Sequence, residues 1–138
     1  ESRGEIYNII FRRCTVLHSL ADWAAEVGAL CVVLCDAGTV HDIVFEQIDV
    51  LDERANGINC MLFRDRWSTD TQAGHIRAIC FRDISLPKNV SVRLWGYDAA
   101  HRVEDILLQN VHMEEAEALW LDSNVYTSEI QVRGTRNE

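Results

Sequence analysis

The chain has 138 residues, 48% of them hydrophobic and 25% charged, which is the make-up of one globular domain with enough apolar material for a core. Acidic residues outnumber basic ones 22 to 13, and the net charge of −9 disfavours nucleic acid and anionic membrane as partners. No apolar run approaches the length of a membrane-spanning helix, and no targeting segment is legible, so the compartment stays open.

In chain order, Ile6 to Val16 is the first strand-like stretch. It reads as the closing walls of a lap whose opening wall is missing, so the chain is expected to begin mid-coil. Ser19 is suited to cap a short helical insert over residues 20–27, with Gly28 as its stop. Ala29 to Leu34 then has the composition of a strand, and Gly38-Thr39 makes a tight corner into Val40 to Val50. There the apolar positions follow I-x-F-x-x-I-x-V. Ile43, Phe45, Ile48 and Val50 fit two short alternating strands meeting at a polar bend, Glu46-Gln47, whereas a helix would need three- and four-residue steps.

That pattern recurs over Ile76 to Leu86, Val103 to Met113 and Thr127 to Val132. Anchored on Ile9, Ile43, Ile79, Ile106 and Ile130, the repeats come at steps of 24 to 36 residues, the size of a stacked supersecondary unit. Stacked at about 4.8 Å, they predict an inward ladder of those isoleucines beside Phe11, Phe45, Phe81, Leu108 and Val132, with a further column of Cys14, Ile48, Ile84 and Val111. Between the repeats, Ile58 to Phe63, Val90 to Trp95 and Ala118 to Leu121 supply a third wall. The expected fold is all-β: a parallel β-helix, or solenoid, of about five short coils with one helical insert, forming a single domain over 1–138. A β-sandwich would also show many short strands but has no reason to repeat residue types lap after lap.

Alternation along the third wall turns Leu30, Val32, Ile58, Cys60, Leu62, Val92, Leu94, Leu119 and Leu121 inward and Val33, Met61, Phe63, Arg93, Trp95 and Trp120 outward. An outer stripe this apolar suits either stacking against sugar rings, with Arg93 reaching hydroxyls, or contact with another protein surface. Trp67 adds an aromatic group in the longest polar loop, Asp65 to His75, where function would be expected. Asp36, Asp65, Asp70, Asp98 and Asp122 fall at or just past third-wall ends, and Asp65, Asp70 and Asp98 are the candidate acid and base residues.

The five cysteines show no metal-ligand spacing, and Cys31 and Cys35, about 13 Å apart along a strand, are too distant for a disulfide. Cys14 and Cys60 read as small buried hydrophobes. The five histidines are scattered, although His41 and His101 precede their repeats at a similar place, and neither a metal site nor a cofactor is expected. Ile10, Val44, Cys80 and Leu107 make an apolar outer column on the repeat strand, and open coil ends expose unpaired edges, so a homo-oligomer is expected.

The repeat V-x-D-I-x-F-x-x-I-x-V resembles the coils of the pectin-lyase-like superfamily of right-handed β-helices, and most of all its polygalacturonase-type glycoside hydrolases. The resemblance implies hydrolysis of glycosidic bonds with inversion, by carboxylates on adjacent coils. Of that family's motifs, Arg93-Leu94-Trp95 stands where Arg-Ile-Lys would be, Asn56-Gly57-Ile58 where Gly-His-Gly would be, and Val27-Gly28-Ala29 where the aspartate pair would be. The resemblance therefore implies the carboxyl-terminal coils of such a protein without a complete catalytic set: a carbohydrate-active protein with a glycan as partner, or a non-catalytic module that self-associates.

Overall fold

A computed structural model describes residues 3–19, 27–54 and 56–134. Among them are nine strands: β1 (Glu5–Val16), β2 (Gly28–Leu34), β3 (Thr39–Val50), β4 (Asn56–Leu62), β5 (His75–Leu86), β6 (Val92–Trp95), β7 (Val103–Met113), β8 (Leu121–Ser123) and β9 (Thr127–Arg133). The odd-numbered strands form one sheet in the order β1-β3-β5-β7-β9 and the even-numbered ones a second in the order β2-β4-β6-β8. Every pairing is parallel. The chain thus alternates between the sheets and lays each strand beside the one from the previous lap. The architecture is all-β, has no helix among the described residues, and is compatible with a β-solenoid. The helix expected over 20–27 falls almost wholly outside the described residues, and Gly28, its expected stop, is the first residue of β2.

The lap-to-lap register places like over like. Ile9, Ile43, Ile79, Ile106 and Ile130 are successive partners, as are Phe11, Phe45, Phe81, Leu108 and Val132. Cys14, Ile48, Ile84 and Val111 form the next column. Three phenylalanine rings stack along the second column, with centroids 4.9 Å apart for Phe11 and Phe45 and 5.0 Å for Phe45 and Phe81. The wall strands face these columns with Leu30, Val32, Ile58, Cys60, Leu62, Val92 and Leu94, all buried. Burial pushes the Cys60 thiol pKa far up, with the neighbouring Cys31 adding to it, so the sulfur sits in the core as a neutral, small apolar group.

Burial depends on the lap as well as the column. Phe81 is 0% exposed, whereas Phe11, in the same column at the outer edge, is 45% exposed. Cys14 holds the column position expected of it but is exposed for the same reason, since β1 has a partner on one side only. All five cysteines are free thiols.

The bends differ from expectation. The sequence pattern predicts one corner, at Glu46-Gln47. In the structure Glu46 stays in the ladder, opposite Arg12 and Arg82, and the turn is made by Gln47 alone, with φ of 55°. A second left-handed residue, Asp42 at φ 53°, bends the same ribbon ahead of Ile43. Both bends recur. Asn8, Asp42, Ala78, Asp105 and Glu129 each precede a ladder isoleucine, and Arg13, Gln47, Asp83 and Asn110 each sit at the other corner, all with φ between 51° and 56°. Left-handed backbone crowds Cβ against the carbonyl, which branched residues tolerate worst, and no β-branched residue occupies either series.

The last wall also shifts. A strand over Ala118 to Leu121 is expected, but β8 begins at Leu121, and Leu119 packs on the core ahead of it. The in-and-out parity survives: Leu121 is the partner of Val92, though at 37% exposed it marks the open last lap. His41 and His101 do not occupy equivalent places. His41 is in register with Arg77 and Glu104, three residues further along the repeat than His101.

Candidate functional site

The turns that lead from each wall strand into the next ribbon are held lap to lap by buried or half-buried polar groups. Asp36, fully buried, accepts the backbone N–H of Thr69 at 2.7 Å and of Asp70 at 2.8 Å, and the Thr69 hydroxyl at 3.1 Å. The N–H of Asp70, ahead of the other donors, holds the Asp36 carboxyl below the usual carboxylate range despite the opposing effect of burial. Asp36 therefore pins the 63–74 loop onto the turn of the preceding lap. Gly74 completes this junction: a Cβ there would lie 2.3 Å from the Gly38 carbonyl oxygen and 2.7 Å from that of Asp36.

The three candidate catalytic carboxylates have local duties. Asp65 Oδ1 accepts the N–H of Trp67 at 2.6 Å. Asp70 Oδ2 accepts the N–H of Ala37 at 3.0 Å, and its Oδ1 lies 2.9 Å from Arg3 Nε. Asp98 Oδ1 accepts the N–H groups of Ala100 and His101 and, at 2.7 Å, the His101 imidazole Nδ1. Partial burial works to raise the Asp98 pKa, but these hydrogen bonds outweigh it and hold the group ionised. Asp65 and Asp70 share one loop and Asp98 belongs to the loop one lap later. A glycosidase acid must carry a proton, for which a raised carboxyl pKa is the enabling condition, and Asp98 is shifted the other way.

On the outer face of the wall sheet the structure brings Arg93 and Trp95 together and adds a residue that sequence reasoning did not assign to them. Asp122, the register partner of Arg93 in the next lap, accepts Arg93 Nε and Trp95 Nε1, each at 3.0 Å. The Arg93 guanidinium lies 4.8 Å from the centre of the Trp95 ring. One carboxylate thereby fixes both the indole edge and the cation above it. Trp120, at 65% exposed, stands one residue ahead of β8. Trp95, Met61 and Val33 form one outward register column, as the alternation implies, but Met61 is buried, so the accessible part of the stripe is its Trp95 end. Asn59, the partner of Arg93 on the same face, is also buried, and its side-chain amide finds no hydrogen-bond partner among the described residues. Trp67 is 62% exposed with the Arg66 guanidinium 4.7 Å from its ring, on the loop that Asp36 anchors.

The only sequence signal for Asp122 was its distance of one lap from Arg93, legible once the start of β8 is known. A second pair also escaped: His75, the first residue of β5, lies with its ring centre 5.3 Å from that of His101. Among the described residues no helix is long and apolar enough to cross a membrane. Compared with protein-family models, with curated proteins and with solved structures, the chain gives no match, so the assignment of this outer-face site rests on its own geometry.

Proposed function

We propose that the chain is a carbohydrate-active right-handed parallel β-helix, similar to the glycoside hydrolases of the pectin-lyase-like superfamily, which holds a glycan on its wall sheet without a complete catalytic pair. The right hand is supported by the strong preference of parallel strand crossovers for that hand. The glycan reading is carried by the Arg93, Trp95 and Asp122 cluster: an indole held in one orientation, a guanidinium above it and an exposed second indole at Trp120. Indole faces suit the C–H faces of sugar rings, and a fixed ring loses little freedom on binding. The net charge of −9 favours a neutral or weakly charged glycan over a strongly acidic one. Lack of turnover is supported by the local hydrogen bonds that occupy Asp65, Asp70 and Asp98.

The second reading, a non-catalytic module that self-associates, is favoured by one observation. The edge strand β1 exposes Ile6, Tyr7, Ile10 and Phe11, and beside it an apolar hollow of about 260 Å³ opens between Ile6, Phe11, Val33 and Phe45. Calorimetry against a panel of neutral oligosaccharides, with light scattering on the same samples, separates the two. Binding without release of reducing ends, weakened at least tenfold in Trp95→Ala and Trp120→Ala and less in Trp67→Ala, is the expected result. No binding to any glycan, together with a stable oligomer, refutes the glycan reading in favour of the second.

A further inference from the structure

We propose that two copies of this chain join end to end through β1, with the two strands antiparallel about a two-fold axis that passes between Asn8 and Ile9. This contact is the specific form of the self-association described above, and it leaves uncovered the glycan site, which lies toward the other end of the wall sheet. β1 pairs with β3 and has no neighbour on its other side among the described residues. Thr39 donates to the Gly4 carbonyl and Leu51 to that of Val16, which fixes the side of the strand turned toward β3. Hydrogen-bonding side and side-chain face alternate together along a strand. The inward residues Ile6, Ile9 and Phe11 therefore bond toward β3, and the outward residues Glu5, Tyr7, Ile10 and Arg12 direct their N–H and C=O groups away from it. An edge of this kind is a template for another strand.

The residues on this edge complement the same edge of a second copy. With the axis between Asn8 and Ile9, Tyr7 opposes the partner's Ile10 and Ile6 opposes the partner's Phe11, outward against outward and inward against inward. These four are the large apolar side chains that β1 leaves between 38% and 57% exposed, and each gains an apolar mate. Glu5 opposes the partner's Arg12, so a pair of opposite charges closes each end of the contact. Both side chains are accessible, and the guanidinium, whose Nε is taken by Glu46, keeps its terminal nitrogens for a second carboxylate. The inner pair also lies over the apolar hollow that Ile6 and Phe11 line. Sliding the strands by one residue would set inward residues against outward ones and part Glu5 from Arg12. Head-to-tail stacking of β9 on β1 would continue the ladder, but it sets Arg133 over the partner's Arg12 and has no natural end, whereas a two-fold contact closes after two copies.

Sedimentation velocity on the whole chain at micromolar concentration tests the interface, and a dimer is expected. Glu5→Arg and Arg12→Glu, each alone, set two like-charge pairs across the axis and should weaken the dimer at least tenfold, with the circular dichroism spectrum unchanged. Mixed in equal amounts, the two variants should form a heterodimer about as tight as the wild-type dimer, because each charge again meets its opposite. Ile10→Lys, which leaves both charged residues in place, should also separate the copies. In a dimer of labelled and unlabelled chains, α-proton contacts between Ile6 and Phe11 should cross the interface, as in any antiparallel pair that is not itself hydrogen-bonded. A dimer that these variants leave intact, or single variants that fail to associate on mixing, overturns this interface while self-association stands. A wild-type monomer overturns both.

Discussion

The phenylalanine column offers one substitution at three depths of the same stack. Phe81 is 0% exposed, Phe45 6% and Phe11 45%, and all three occupy one register position in successive laps. Truncation of a fully buried phenylalanine removes its transfer free energy and leaves a cavity that a packed interior closes only in part, a cost of about 3–5 kcal/mol. Phe81→Ala and Phe45→Ala should therefore each destabilise the protein by about 4 kcal/mol, including the loss of ring stacking worth about 0.5–1.5 kcal/mol. Phe11 is nearly half exposed and stacks on one side only, so Phe11→Ala should cost about 1–2 kcal/mol. At about 3–4 °C per kcal/mol for a domain of this size, melting temperatures should fall by roughly 12–16 °C for the inner pair and about 3–8 °C for Phe11. Urea unfolding followed by tryptophan fluorescence and by circular dichroism gives the free energies, provided that the two transitions coincide. Equal costs at the three positions, or an inner cost below about 1 kcal/mol, would refute the reasoning that one column runs from an open edge into the core.

Two further outcomes follow from named residues. Ala78 holds φ 54°, where a left-handed alanine costs about 1–2 kcal/mol and glycine does not, so Ala78→Gly should stabilise by up to about 1 kcal/mol after its extra unfolded-state freedom is counted, while Ala78→Val should destabilise by more than about 1 kcal/mol in the same urea assay. The Asp36 carboxyl, bonded first by the Asp70 N–H, and the Asp52 carboxyl, bonded first by the Arg54 side chain and then by the Ser19 N–H, both have pKa values lowered by folding. Their contribution is complete above the unfolded value of about 3.9 and is lost as pH falls through it toward the lower folded values, so unfolding free energy should drop below about pH 5, and Asp52→Asn should flatten that slope.

The ladder was legible because a buried inner face demands apolar residues at every second position and each lap faces the same interior. Ile43, Ile79 and Ile106 therefore recur without any help from tertiary knowledge. The extra bend was not legible, since the left-handed position ahead of the isoleucine is filled by Asn8, Asp42, Ala78, Asp105 and Glu129, which share backbone tolerance and no side-chain chemistry. Likewise the start of β8 was misplaced because Ala118 to Leu121 alternates as well as Leu121 to Ser123 does, and the pairing with β6 decides between them. That choice of register is what sets Asp122 against Arg93. The partnership of His75 with His101 depends on the lengths of two loops, which periodicity does not determine, and Arg93 and Trp95 were found because parity along a strand is a local property.

All of this rests on successive laps lying parallel with one fixed register. Nuclear Overhauser contacts between backbone protons of β3, β5 and β7 test it most directly. The account predicts amide and α-proton contacts linking Ile43 to Ile79 and Ile79 to Ile106, with the same offset at Phe45, Phe81 and Leu108. Strong α-proton to α-proton contacts between these strands, the mark of antiparallel neighbours, or an offset that changes from lap to lap, would contradict it.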